Sequence, residues 1–152
     1  MANETDFAYA AGLIDGEGTI GIYKNKAKSC RCGYRFYLRV RLGMTNITAP
    51  YWLYTIFGGY FREYPNRGWG EKVLYEWGLS PEQAYAFLVS ILPYLKTKKQ
   101  QAQVAIEFQK DKYKGIRGRG RKTPQTILDA EEILASKIQG LNDKKGVHSI
   151  GE

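Results

Sequence analysis

Residues 34–44 alternate strictly. Tyr34, Phe36, Leu38, Val40 and Leu42 are apolar, and Arg35, Tyr37, Arg39, Arg41 and Gly43 fall between them. A period of two over this length is a strand with one buried and one wet face. Thr19–Tyr23 is rich in β-formers and predicts its partner strand, with the polar, basic stretch 24–33 as a long hairpin tip. Residues 60–64 and 73–79 predict two further strands. In the first, Tyr60, Arg62 and Tyr64 share a face. In the second, Val73, Tyr75, Trp77 and Leu79 form the apolar set, which turns Lys72, Leu74 and Glu76 outward, although Leu74 leaves the facing of this strand open.

Helical spacing takes over elsewhere. Residues 7–14 predict a helix capped by Asp6 and stopped by Gly16 and Gly18, since glycine takes the left-handed position past a helix end without a Cβ penalty. A second helix opens at Thr48 or Ala49, with Pro50 in its first turn, Trp52, Leu53, Ile56 and Phe57 as its core face and Gly58-Gly59 as its end. Ser80-Pro81-Glu82-Gln83 is a capping box for a helix carrying Phe87, Leu88, Ile91 and Leu92, broken at Pro93. Another helix reaches about Lys112. The last spans 125–141 on a stripe of Ile127, Leu128, Ile133, Leu134 and Ile138. The order predicts an α+β fold with four antiparallel strands, one sheet face on helices and the other free. The 152 residues divide into a core at 1–113, a basic linker at 114–122 and a C-terminal helix and tail at 123–152.

Charge sharpens the free face. The net +8 is uneven: the first 18 residues carry −4, residues 19–79 carry +7 and the remainder +5. A basic, aromatic-rich middle is the footprint of a nucleic-acid surface. Three arginines on the wet face of 34–44, with no acid between them, suit the DNA major groove, where a two-stranded ribbon fits. The single histidine, His148, argues against histidine-based nuclease chemistry and a Ser-His-Asp triad. Cys30 and Cys32 are too close for an ordinary disulfide and have no second pair to complete a zinc site, so reduced thiols in an intracellular protein are expected. No run approaches a membrane span.

Two acids stand where a helix disfavours them. Asp15 and Glu17 flank Gly16 at a predicted C-terminal end, which carries about half a negative charge. Such acids are either solvated or answered by a cation, and a divalent metal on carboxylate and carbonyl oxygens is the simplest one. Lysines 96, 98 and 99 sit at the start of a later helix, also the wrong end. Ala8, Ala10, Ala11 and Gly12 leave the first helix nearly bare, which implies a tight helix–helix contact.

The run Ala11-Gly12-Leu13-Ile14-Asp15-Gly16-Glu17-Gly18 resembles the signature of the LAGLIDADG homing endonucleases, with Ala10 where the name has leucine, Gly16 for the inner alanine and Glu17 for the second aspartate. Later stretches extend the resemblance over roughly the first 110 residues. It implies an αββαββα fold with a four-stranded DNA-binding saddle and additional C-terminal helices. One motif copy implies a homodimer, with Ala8, Ala11, Gly12 and Asp15 at its interface. The implied activity is metal-dependent, site-specific cleavage of double-stranded DNA at a long pseudo-palindromic site, inside whatever compartment holds the target genome. Glu17 and the Gly16 carbonyl are the implied metal ligands, for two or three Mg²⁺ per dimer. Mn²⁺ is a substitute, and Ca²⁺ binds without supporting cleavage. Lys98 and Asn46 are the implied catalytic partners; Asn46 stands where the family often has glutamine, and Pro50 where a basic residue usually follows. The implied DNA-facing residues are Tyr23, Lys24, Asn25, Lys26, Lys28 and Arg31 in the first hairpin, and Arg35, Tyr37, Arg39 and Arg41 in its return strand. Tyr60, Arg62, Tyr64, Arg67, Lys72 and Glu76 in the second hairpin complete the set. The rival is a non-cleaving nucleic-acid binder such as an RNA-splicing maturase, as some members of this family are. Gly21-Ile22-Tyr23 spells the first half of a GIY-YIG signature, but no second half follows.

Overall fold

Asn3, not Asp6, begins the first helix. In this computed structural model, which describes residues 2–28, 32–65, 72–112 and 123–143, the Asn3 side-chain oxygen accepts from the Asp6 N–H at 2.9 Å. The Asp6 carboxylate accepts from the Asn3 N–H at 3.0 Å. Asp6 is therefore the third-position acid of a capping box, which satisfies two orphan donors. The helix, α1 (Glu4–Glu17), runs through both Gly12 and Gly16. It does not end in a left-handed residue: Gly18 is extended (φ −80°, ψ 161°) and passes directly into strand β1 (Gly18–Lys26). What demands glycine at Gly18 is space, since a Cβ there would lie 2.7 Å from the Ile14 Cα.

Strand β2 (Tyr34–Met44) pairs antiparallel with β1, Gly18 opposite Leu42 and Lys26 opposite Tyr34. Helix α2 (Thr48–Phe57) leads through Gly58 and Gly59, both at positive φ, into β3 (Tyr60–Tyr64). The turn needs glycine for its left-handed backbone. β4 (Leu74–Leu79) pairs with both β2 and β3, giving an antiparallel sheet in the order β1-β2-β4-β3. Helix α3 (Pro81–Ile91) starts on the expected Ser80–Gln83 capping box and gives way to a 3₁₀ turn at Leu92–Tyr94. Helices α4 (Lys99–Lys112) and α5 (Gln125–Asp143) follow. The αββαββα order with two added helices is the one expected.

The helices cover one side of the sheet. Ile20, Ile22, Phe36, Leu38, Val40, Leu42, Trp77 and Leu79 all point into that core. Burial of Trp77 and Leu79 settles the facing of β4 and puts Glu76 on the open side. The Trp77 indole donates to the Gly58 carbonyl at 2.8 Å, so its one polar atom is satisfied inside the core.

Three expectations fail locally. α2 packs through Ala49, Pro50 and Leu53, and Ile56 is 39% exposed, because its place in the helix turns it away from the sheet. In α5, Ile133 is 68% exposed and Ala135 and Ile138 take the core positions. Cys32 is disulfide-bonded rather than reduced. The chain's other cysteine, Cys30, lies outside the described residues, as do Arg31, Arg67 and the basic linker. α5 shares the core of the rest: Ile138 is buried and the Asn142 amide donates to the Ile20 carbonyl at 3.0 Å. No described helix is long and apolar enough to cross a membrane.

Candidate nucleic-acid interface and active site

The wrong-end charges of α1 and α4 answer each other. The Asp15 carboxylate, at the end of α1, accepts from the backbone N–H groups of Lys96 (2.9 Å) and Lys98 (3.0 Å), which lead into α4. In return, the Lys98 ammonium donates to the carbonyls of Ile14 (2.8 Å) and Asp15 (3.1 Å) at the end of α1. The Thr97 hydroxyl adds a bond to the Asp15 carbonyl at 3.3 Å. An acid unfavourable to its own helix serves the N-terminal end of the other, and a lysine unfavourable to α4 serves the C-terminal end of α1. The Asp15 carboxylate is thus answered by N–H groups ahead of α4, and the carbonyl end of α1 by the Lys98 ammonium. Asp15→Ala is expected to cost about 2–3 kcal/mol, discounted for partial exposure, and to lower Tm by about 5–10 °C. A calorimetric Tm within about 1 °C of the parent would show that this joint carries no stability.

Glu17 is left outside the joint. It is exposed, and the next residue, Gly18, lines a cleft of about 390 Å³ together with Thr19, Lys98, Gln139, Asn142 and Asp143. Lys98 is 4% exposed, so its charge is held at this end of α1 with little access to bulk water. Among the described residues no group of three or more His, Cys, Asp or Glu converges. The expected metal ligands are the Glu17 carboxylate and the Gly16 carbonyl. These hard oxygens are the right kind of donor, but they fall short of the roughly six that Mg²⁺ takes.

The open sheet face carries the basic and aromatic groups. Arg35, Tyr37, Arg39 and Arg41 on β2 lie opposite Asn25, Tyr23, Gly21 and Thr19 of β1. Tyr60 and Glu76 join them from β3 and β4, with the Tyr60 hydroxyl donating to Glu76 Oε1 at 3.0 Å. Glu76 also forms ion pairs with Arg39 (3.8 Å) and Arg41 (3.9 Å). Burial alone would lower the Arg39 pKa, but its hydrogen bond to Tyr60 and the charge of Glu76 raise it. Burial raises the Tyr60 phenol, and donation to Glu76 adds to that against the opposing pull of Arg39. Both groups thus hold the forms that bond best, a guanidinium and a neutral phenol. Arg62 lies over the Tyr60 ring at 4.8 Å and is raised chiefly by its hydrogen bond to Tyr64.

The structure departs from the expected site at several residues. Lys24 and Lys26 are on the helix side of β1, not beside Arg35, because alternation gives the open side to Tyr23 and Asn25. Lys24 accordingly sits 4.1 Å from the Tyr34 ring centroid. Lys28 is exposed at the hairpin tip, and Lys72 is exposed just before β4. Ala11 is fully buried within the chain, so it cannot offer surface to a second copy, whereas Ala8 and Gly12 are exposed. The Asp15 carboxylate is spent on its own chain. Asn46 is exposed, but its side-chain oxygen accepts from the Thr48 N–H at 2.8 Å and starts α2. Pro50 is buried. Sequence reasoning missed Gln139, Asn142 and Asp143 beside Lys98, since more than 100 residues separate them from β1 and no spacing rule connects them.

Known proteins agree with this geometry. The family model for LAGLIDADG endonuclease matches residues 10–112. No curated protein sequence matches the chain significantly. The homing endonuclease I-CvuI, solved with DNA in the presence of 2 mM Mg with the DNA not cleaved, has 22% sequence identity and a TM-score of 0.73, over 94% of this chain and 85% of its own. The archaeal intron-encoded homing endonuclease I-Vdi141I, complexed with DNA, has 16% identity and a TM-score of 0.73, over 97% and 89%. The homing endonuclease I-TnaI has 17% identity and a TM-score of 0.63, over 95% and 99%. With a motif helix that ends in Glu17, the fold that the neighbours share and a family match over two thirds of its length, the chain belongs to the LAGLIDADG endonuclease family.

Proposed function

We propose that the chain is a site-specific double-strand DNA endonuclease that acts as a homodimer on a long, near-palindromic site and depends on Mg²⁺. The observation that carries this reading is the contrast at the end of α1: Asp15 is tied to the start of α4, while Glu17, two residues on, is exposed. Glu17 and the Gly16 carbonyl would hold a divalent ion, which when bound would activate a water and act as a Lewis acid on the leaving oxygen. With those two donors short of the roughly six that Mg²⁺ takes, a second motif helix, DNA phosphates and water would supply the others. Lys98 keeps positive charge next to the phosphate to be cut. The arginines of β2 and the tyrosines of β1 and β3 grip the duplex, and twofold symmetry of the dimer demands similar half-sites. The structures of I-CvuI with Mg or Ca and DNA support this assignment of ion and partner.

One observation favours a second reading. Asn46 is committed to α2 and Pro50 is buried, so two polar positions near the attacking water are weak, as in a non-cleaving binder such as a maturase. Selection from a randomised duplex library, in parallel with Mg²⁺ and Ca²⁺, separates the two. A single near-palindrome bound in Ca²⁺ and cut in Mg²⁺ is expected. A site bound in both and cut in neither would replace cleavage by binding alone.

A further inference from the structure

Glu76 is an acid buried in a surface that otherwise attracts a polyanion. It is 9% exposed and stands on the open face of the sheet, opposite Gly43 of β2. Each of its oxygens is engaged. Oε1 accepts the Tyr60 hydroxyl and faces Arg39 at 3.8 Å; Oε2 faces Arg41 at 3.9 Å. On a DNA-binding face such a charge weakens phosphate attraction, so its contribution lies elsewhere.

We infer that Glu76 is a specificity-determining positioning residue, one that holds the guanidinium groups of Arg39 and Arg41 away from DNA phosphates and presents them to guanines in the major groove. This rests on the DNA-binding reading of the sheet face. Three features carry it. First, Arg39 stands opposite Gly21 on β1, and Arg41 stands between Thr19 on β1 and Gly78 on β4, so the facing residues are small. Both guanidiniums pair with Glu76, and Arg39 also bonds Tyr60, so these two groups set their direction. Second, those glycines are covered: a Cβ on Gly21 would lie 2.6 Å from the Tyr23 hydroxyl, and one on Gly78 would meet the Tyr60 ring. The flat tyrosines leave the arginines standing above the sheet. Third, the ion pairs are longer than hydrogen bonds, so they fix direction without consuming the donors. A guanidinium has five N–H groups and reads guanine O6 and N7 with two of them, provided its plane is set. Arg39 and Arg41 are two residues apart on one strand, about 7 Å, which is roughly two base-pair rises. They therefore address a pair of positions in each half-site.

The rival role for Glu76 is direct acceptance from cytosine N4. Its side chain is 11% exposed and lies between two guanidiniums, which argues against that reach.

The test uses the full chain and a randomised duplex library in Ca²⁺, with parent, Glu76→Gln, Arg39→Ala/Arg41→Ala and the triple variant. Gln keeps an acceptor for the Tyr60 hydroxyl, and a parental near-ultraviolet circular dichroism spectrum checks the fold. Glu76→Gln is expected to lower discrimination about tenfold at a pair of positions in each half-site. It should also strengthen binding to unrelated DNA and steepen the salt dependence by about one unit per chain, as freed arginines take phosphates. In the Arg39→Ala/Arg41→Ala background the same substitution is expected to change no base preference, because a residue that acts through others has nothing left to position. Unchanged preference in Glu76→Gln, or an equal change in the triple variant, overturns the inference. If the parent chain itself enriches no sequence, the DNA-binding reading falls, and this inference with it.

Discussion

Glu17→Gln is expected to slow double-strand cleavage about a thousandfold or more, with affinity for the same DNA, measured without divalent ion, changed less than about threefold. The substitution removes a charge and keeps the shape. Glu17 is exposed, and it makes no hydrogen bond or ion pair with another described residue. Its loss therefore takes nothing from the fold, unlike the loss of Asp15 two positions earlier, whose carboxylate holds two backbone N–H groups. The two acids of one motif are separable by measurement: Asp15 variants lose Tm, Glu17 variants lose rate. The check is cleavage rate, affinity and Tm on the same preparation. A fall in all three would make Glu17 a structural acid, and retained cleavage would put the metal-binding oxygens elsewhere.

That division of labour also shows what can be read in the chain before it folds. The misplaced charges at the end of α1 and the start of α4 were visible in the sequence, and so was the need for compensation. The pairing was not, because Asp15 and Lys98 are 83 positions apart and only the docking of α4 against α1 joins them. Strand β2 was legible because strict alternation permits one facing. β4 was not, since Leu74 and Tyr75 are both partly buried and burial of Trp77 had to decide. The side of β1 that carries Lys24 and Lys26 was not legible for a related reason. Near a hairpin tip both sides of a strand are polar, and composition does not say which side meets the groove. The helix faces of α2 and α5 erred by a residue or two because an isoleucine at the margin of a stripe can turn outward when alanine or proline fits the contact better.

The seam between two chains is where sequence and structure must be combined. Gly12→Leu is expected to raise the dimer dissociation constant about a hundredfold or more while leaving the single chain no less stable. Along α1 the exposed residues at one helical face are Thr5, Ala8, Tyr9, Gly12 and Gly16. A Cβ on Gly12 meets nothing within 4 Å in one chain. Replacing a mid-helix glycine by leucine therefore favours the isolated helix by about 1 kcal/mol. Against a second α1 packed on the same face, two inserted leucines overpack the contact by about 1–3 kcal/mol each, since symmetry places both at the axis. Ala11→Leu would not serve, because Ala11 is buried inside the chain and its enlargement strains the core that holds α1. Sedimentation equilibrium on Gly12→Leu separates the two alternatives, and thermal unfolding checks that the single chain still folds. A monomer with an unchanged or higher Tm places the seam on α1, and double-strand cleavage should fall with it. A dimer that persists at the parental concentration puts the partner on another face, and the Glu17 site would then have to find its remaining oxygens without a second motif helix.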